Sequence, residues 1–302
     1  MTTDPETATG AGREYSLDSL RSPRSLQRRR VPLGVSFRKQ LMHIPLILVG
    51  LITLFPFLAM VVISLHPGVP VKFPEIFLDA NYSMDAYGAA INNPHIVRWA
   101  LNTSVYAIVS VVVGLFFASM AAYAFAKKRF LGQRVLFWVI VGMLMIPYQL
   151  TIVPQYLVVG GIGGLNTIWG LIVPTIANVQ AMFLMHQFIQ DIPDEFIEAG
   201  KIDGAREFRV FWSLILPQTK PILATLATFL FLWHWNDFLW PLVAQQSPAK
   251  YVLTVGLNSV QEQNASLAIV MATAVVTFIP ALLVFIFFQR HFVRGVMMSG
   301  IK

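Results

Sequence analysis

Six long apolar runs divide the chain, at about Leu41–Leu65, Trp99–Ala126, Val135–Val158, Leu165–Ile189, Pro221–Val243 and Leu267–Gln289. A hydrocarbon core of about 30 Å takes roughly 20 helical residues to cross, and the runs meet or exceed that length. They are continuous rather than alternating. In lipid this selects helices over barrel strands, because a helix satisfies its own backbone polar groups. The pattern therefore predicts an all-α, polytopic membrane protein with six transmembrane helices. Pro45, Pro56, Pro147, Pro154, Pro174 and Pro280 fall inside the runs. Each removes an intrahelical hydrogen bond and favours a kink. Such kinks suit a bundle bent around a cavity, and equally the ordinary prolines of membrane helices. No internal repeat of the kind found in many secondary carriers is visible.

The polar stretches between the runs differ in kind. Residues 1–38, rich in Thr, Ser, Gly and Arg, read as a cytoplasmic tail unable to bury a core, which leaves 39–302 as one membrane domain. The first apolar run is too long and too deep in the chain for a signal-peptide core and reads as a retained anchor. The loop at Gly160–Gly164 reads as a tight outer turn, since no Gly-Lys-Ser/Thr follows it. The stretch 190–220 stands apart, a polar connection of about thirty residues with its own amphipathic pattern. Pro193, with Asp194 and Glu195 behind it, marks a helix start, where acids suit the helix dipole. Gly204 would cost about 1 kcal/mol in a helix interior, so it marks a sharp turn. Phe208, Phe211, Trp212 and Ile215 then recur at helical spacing. Two short helices joined at Gly204 are expected.

Charge sets the orientation. Of the 22 Lys and Arg residues, nineteen fall in the segments that are cytoplasmic if the N-terminus is inside, and three (Lys72, Arg98, Lys250) fall in the others. That asymmetry predicts both termini in the cytoplasm and places 190–220 there as well. The same distribution accounts for the net charge of +7 without nucleic acid, because the basic residues flank apolar spans. Only 12% of the residues are charged and 56% are hydrophobic, against about 25% charged in soluble domains. With no cysteine, disulfides and thiolate metal sites are excluded.

At 190–220 the chain resembles the membrane-spanning subunits of binding-protein-dependent ABC importers. Their signature of Glu-Ala-Ala, three residues, Gly, nine residues, Ile, one residue, Leu-Pro stands here as Glu198-Ala199-Gly200, Gly204, Leu214 and Leu216-Pro217. Gly200 replaces an alanine and Leu214 an isoleucine, with the spacing kept. Asp203 and Ala205 around Gly204, Trp235–Leu242, and Gln289–Gly295 add likeness to the smaller membrane subunit of maltose-type sugar importers. The resemblance covers about residues 40–302. It implies that 190–220 is a coupling helix docked in a cleft of an ATP-binding subunit. Glu198 would face a basic group there, Gly204 would turn the chain, and Phe208 and Phe211 would pack the second helix onto the bundle. It further implies a second homologous membrane subunit, two ATP-binding subunits that carry the ATP and Mg, an extracytoplasmic binding protein, and a mono- or oligosaccharide or related polyol phosphate as solute. A helix lying on the lipid surface is the competing reading of 190–220, which its mixed acidic and basic faces disfavour.

Enzyme chemistry finds no footing in the sequence. There is no P-loop, no metal-spaced histidine pair and no nucleophile elbow, so no cofactor is expected on this chain. Asp237 is the one carboxylate inside an expected span, where an unpaired charge costs about 2.5–3.5 kcal/mol. It either lines the path or braces the structure beside Asn236. Asn102, Tyr106, Gln149, Asn178 and Gln180 are further candidates for the path, each also suited to an interhelical hydrogen bond. An ion-coupled secondary carrier using Asp237 is the alternative function, one that leaves 190–220 unexplained.

Overall fold

A computed structural model describes residues 43–68, 72–263 and 265–299, with side chains to residue 287. The expected N-terminal tail lies outside the described residues. The helices are α1 His43–Ser64, α2 Asp85–Ile91, α3 Ile96–Lys127, α4 Gln133–Gly142, α5 Tyr148–Gly161, α6 Ile168–Ile172, α7 Val179–Gln190, α8 Glu195–Ile202, α9 Glu207–Val210, α10 Leu216–Gln218, α11 Lys220–Trp235, α12 Leu239–Ala244, α13 Leu253–Glu262 and α14 Leu267–Ser299. Among the described residues no strand occurs. Contacts divide the chain after Leu54, and the second unit, beginning at Phe55, holds the 190–220 segment and every helix from α2 onward.

Unbroken helices long and apolar enough to cross a membrane are α1, α3 and α14 over Leu267–Phe287. Three bent pairs bring the number to as many as six if each pair crosses as one. The third expected span, 135–158, is not straight. Gln133–Met145 and Tyr148–Gly161 meet at 107°, with Ile146 extended and Pro147 opening the second helix. The residue before a proline is pushed out of the helical region, so the break falls where the sequence puts Ile-Pro. The fourth, 165–189, bends by 43° between Ile168–Thr175 and Val179–Gln190. Asn178 starts the second piece there by accepting the Ala181 N–H at 2.8 Å. Pro154 and Pro280 stay inside continuous helices.

The fifth expected span, 221–243, also differs from expectation. Its helix stops at Trp235, and three residues, Asn236–Phe238, precede α12. Asp237 therefore sits in a break between helices and not within a turn of one.

α3 is the spine of this part of the molecule. Its 32 residues span about 48 Å at 1.5 Å each. Small residues on one face, Ala107, Ser110, Gly114, Ala118 and Ala122, are buried or nearly so and admit α7 and α11 closely. Near its start, Trp99 Nε1 donates to Pro248 O at 2.7 Å and Thr103 Oγ1 accepts the Leu253 N–H at 2.8 Å. The loop after α12 is thereby fixed to the spine. Around its end, a core of Ala122, Met185, Ile189, Val210 and Ile215 joins α3 and α7 to the helices that follow α8.

Candidate functional site: the 191–219 segment and the cavity beside Asp237

The two halves of the segment turn at Gly204. Its φ is +76°, a left-handed conformation that costs other residues roughly 1–2 kcal/mol. The Gly204 N–H donates to Lys201 O at 3.0 Å and the Ala205 N–H to Gly200 O at 2.9 Å, closing α8 as a glycine-capped helix end does. After the turn, α9 runs into a π-helical turn, Phe211–Ile215, and then α10. A π turn shifts the register of the side chains by one position. Val210, Phe211 and Ile215 consequently all face the core.

Two faces result. Ile197 and Gly200 of α8 are buried with Val210, Phe211 and Ile215. Glu195, Glu198, Ala199, Lys201 and Asp203 are exposed, as are the apolar Phe196 (50%) and Ile202 (86%). Leu216 is half-buried and Pro217 exposed. One expectation is corrected. Phe211 packs on the bundle, tilted against Tyr123 at 5.5 Å, but Phe208 does not. It is 61% exposed and stacks at 6.2 Å on Trp212, which is exposed too. Phe208 and Trp212, four residues apart, share the outer flank of the helix, while Phe211 and Ile215 turn inward, so the stripe is split and not buried as one face.

The segment is tied to the end of α3 by residues that the sequence presented only as orienting charges. Lys127 Nζ donates to Gln190 O at 3.3 Å, Ile192 O at 2.5 Å and Asp194 Oδ1 at 2.7 Å, with its side chain only 6% exposed. It answers the orphan carbonyls at the end of α7 and the acid before α8 at once. On the other side of the turn, Glu207 pairs with Lys128 and with Lys201 (3.3 Å), and accepts from the Tyr123 hydroxyl at 3.2 Å. The Lys127 bond holds the Asp194 carboxyl below its ordinary pKa, and the Lys128 bond does the same for Glu207.

A cavity of about 760 Å³ opens among α3, α5, α7 and α11. It brings together Tyr106, Gln149, Asn178, Gln180 and Asp237 of the expected path residues. Asn102 stands elsewhere, donating to Ala249 O at 3.2 Å and Tyr251 O at 2.9 Å. Asn236 donates to Leu232 O at 2.7 Å and faces a smaller cavity of about 220 Å³. The Tyr106 hydroxyl donates to Asp237 Oδ2 at 2.7 Å. His234 Nδ1 lies 3.3 Å from the same hydroxyl, so with Tyr106 donating to Asp237, His234 carries its proton on Nδ1. Thr254 Oγ1 donates to Asp237 O at 2.6 Å. Asp237 thus both braces the break in the fifth run and faces the cavity. His234, Tyr148, Gln155 and Trp233 complete the wall. The sequence did not single them out for it: a bend of 107° carries Tyr148 and Gln155 there, and the packing of α11 decides that Trp233 and His234 line the cavity.

The profile of the family described as "Binding-protein-dependent transport system inner membrane component" matches residues 110–298. The chain belongs to this family. It is 31% identical over 259 residues to the arabinooligosaccharides transport system permease protein AraQ of Halalkalibacterium halodurans, covering 84% of this chain and 93% of that one. It is 32% identical over 268 residues to the sn-glycerol-3-phosphate transport system permease protein UgpE of Yersinia pestis, covering 85% and 95%. In fold it matches a subunit of a bacterial ABC transporter involved in the import of the acidic polysaccharide alginate, with a TM-score of 0.74 at 23% identity over 86% of this chain and 98% of that one. The protein is a multi-pass inner-membrane permease component of a binding-protein-dependent transporter, not an enzyme. Nothing in these likenesses supports the ion-coupled carrier.

Proposed function

We propose that this permease forms half of the translocation pathway of an ATP-driven importer for a sugar or oligosaccharide. The complex holds a second homologous membrane subunit, two ATP-binding subunits that carry ATP and Mg, and an extracytoplasmic binding protein that delivers the solute. Six spans place both termini in the cytoplasm. The names of the relatives support a carbohydrate or a related polyol phosphate as the solute.

The observation that carries the coupling role is the two-faced build of 191–219. Its inner face is fixed to α3 and α7 by a packed core and by Lys127. Its outer face leaves Glu198, Phe196 and Ile202 uncovered around a glycine turn. Exposed apolar residues rimmed by charge mark a surface made for a partner. Closure of the ATP-binding subunits would push on this face, and the rigid inner face would carry the push to the spans. Glu198→Lys and Ile202→Asp lie on the outer face and should leave the permease folded and inserted. They should abolish co-purification of the ATP-binding subunit and ATP-driven uptake in proteoliposomes. Full uptake by both variants would refute the reading.

A further inference from the structure

Among the described residues, one residue in the wall of the 760 Å³ cavity is a Lys, Arg, Asp or Glu, and it is Asp237. One of its oxygens takes the Tyr106 hydroxyl. The remaining polar wall holds the Tyr148 and Thr175 hydroxyls, the amides of Gln149, Gln155, Asn178 and Gln180, and the His234 ring, whose Nδ1 is taken up by the Tyr106 hydroxyl. Gln149 and Gln180 are exposed. Trp233 (64% exposed) and Phe229 (46%) add aromatic surface.

We propose that this subunit itself contacts the solute, and that the cavity selects an uncharged, polyhydroxylated solute over a phosphorylated or uronic one, with Asp237 as the specificity-determining group. The proposal rests on the importer reading above and narrows it, since it removes polyol phosphates from the solutes that reading allows. An anion entering here sheds water, finds no lysine or arginine among the described residues of this wall, and meets a carboxylate in surroundings that screen charge poorly. A neutral sugar meets the opposite conditions. Its hydroxyls pair with amides and with the carboxylate, and its C–H faces pack on Trp233 and Phe229. The volume is that of a small-ligand site, which runs from about 300 to 1,000 Å³. The discrimination is repulsive as much as attractive, which is how large ratios between similar solutes arise.

The test uses the assembled importer in liposomes with ATP inside, and compares uptake of arabinotriose and maltotriose with that of sn-glycerol-3-phosphate and dimannuronate. The wild type should carry a neutral sugar at least tenfold faster than either anion. Asp237→Asn keeps the shape and the acceptor for Tyr106 while removing the charge, and should raise the anion-to-neutral ratio about tenfold. Gln180→Lys leaves the Asp237 network untouched and places a cation on the wall, and it should raise the same ratio. Wild-type uptake of an anion as fast as of the sugars, or a ratio unmoved in both variants, would overturn the proposal. Uptake that proceeds without ATP would instead overturn the importer reading, so the two failures are told apart.

Discussion

Gly200 and Leu214 fit one another across the turn: a methyl group placed on Gly200 would lie 2.5 Å from Leu214 Cδ1. These are the two positions at which the chain departs from the signature it resembles, where alanine and isoleucine stand. The two departures therefore meet in one packing contact. Restoring the alanine alone presses a methyl group on the flexible end of the half-buried Leu214 side chain, which can yield, so the cost falls at the low end of the about 1–3 kcal/mol that overpacking takes. Gly200→Ala should lower the melting temperature of the purified permease. Adding Leu214→Ile should recover most of the loss. A double-mutant cycle with no coupling would show that the two side chains do not share the space.

Lys127 should matter more than an orienting charge does. Lys127→Met leaves two backbone carbonyls and Asp194 without their donor, and Lys127→Arg cannot seat its wider planar head against the same three oxygens. ATP hydrolysis by the assembled importer should continue in both variants while solute uptake falls at least tenfold, a loss of coupling and not of docking. Uptake falling only in proportion to hydrolysis would count against this role.

Gly204 is required for its backbone and not for space, since a side-chain carbon placed there would meet no neighbouring atom within 4 Å. Gly204→Asn, a residue that tolerates positive φ, should retain uptake. Gly204→Val should lose it and should release α8 to proteolysis. Equal behaviour of the two would mean that the turn conformation is not what counts.

Acid should loosen the segment from α3. The Asp194 and Glu207 carboxyls have lowered pKa values in the folded chain, each first through its hydrogen bond to a lysine. Such groups contribute stability that is complete above the ordinary carboxylate pKa of about 4. The contribution is lost as the pH falls through the depressed values. Hydrogen-exchange protection factors over 192–207 should hold level from pH 7 to about 5 and drop below about 4. In Lys127→Met/Lys128→Met the drop should shrink. A drop near pH 6 would implicate a different group.

Tyr106→Phe removes the donor to Asp237 and the acceptor of His234 together. Leaving a half-buried carboxylate oxygen unpaired costs about 1–3 kcal/mol. The variant should melt lower than Asn102→Ala, which loses bonds only to loop carbonyls. The reverse order would move the brace away from Asp237.

Residue order alone determined a good deal. Continuous apolar runs require helices, because lipid offers the backbone no other partner. Gly204 marked a turn, because glycine alone takes positive φ freely, and Pro147 stood among six kink candidates, of which Pro154 and Pro280 stayed inside continuous helices. The amphipathic 190–220 segment was legible from its spacing, and so was its likeness to one family. Tertiary structure decided the rest. Packing split the stripe, burying Phe211 and Ile215 and leaving Phe208 and Trp212 outside, a helix break carried Asp237 to Tyr106, 131 residues away, and Lys127 proved to be a clamp. Those outcomes depend on contacts between residues far apart in the chain. Hydrophobic periodicity encodes which face of a helix is buried, but not which distant polar group will meet it there.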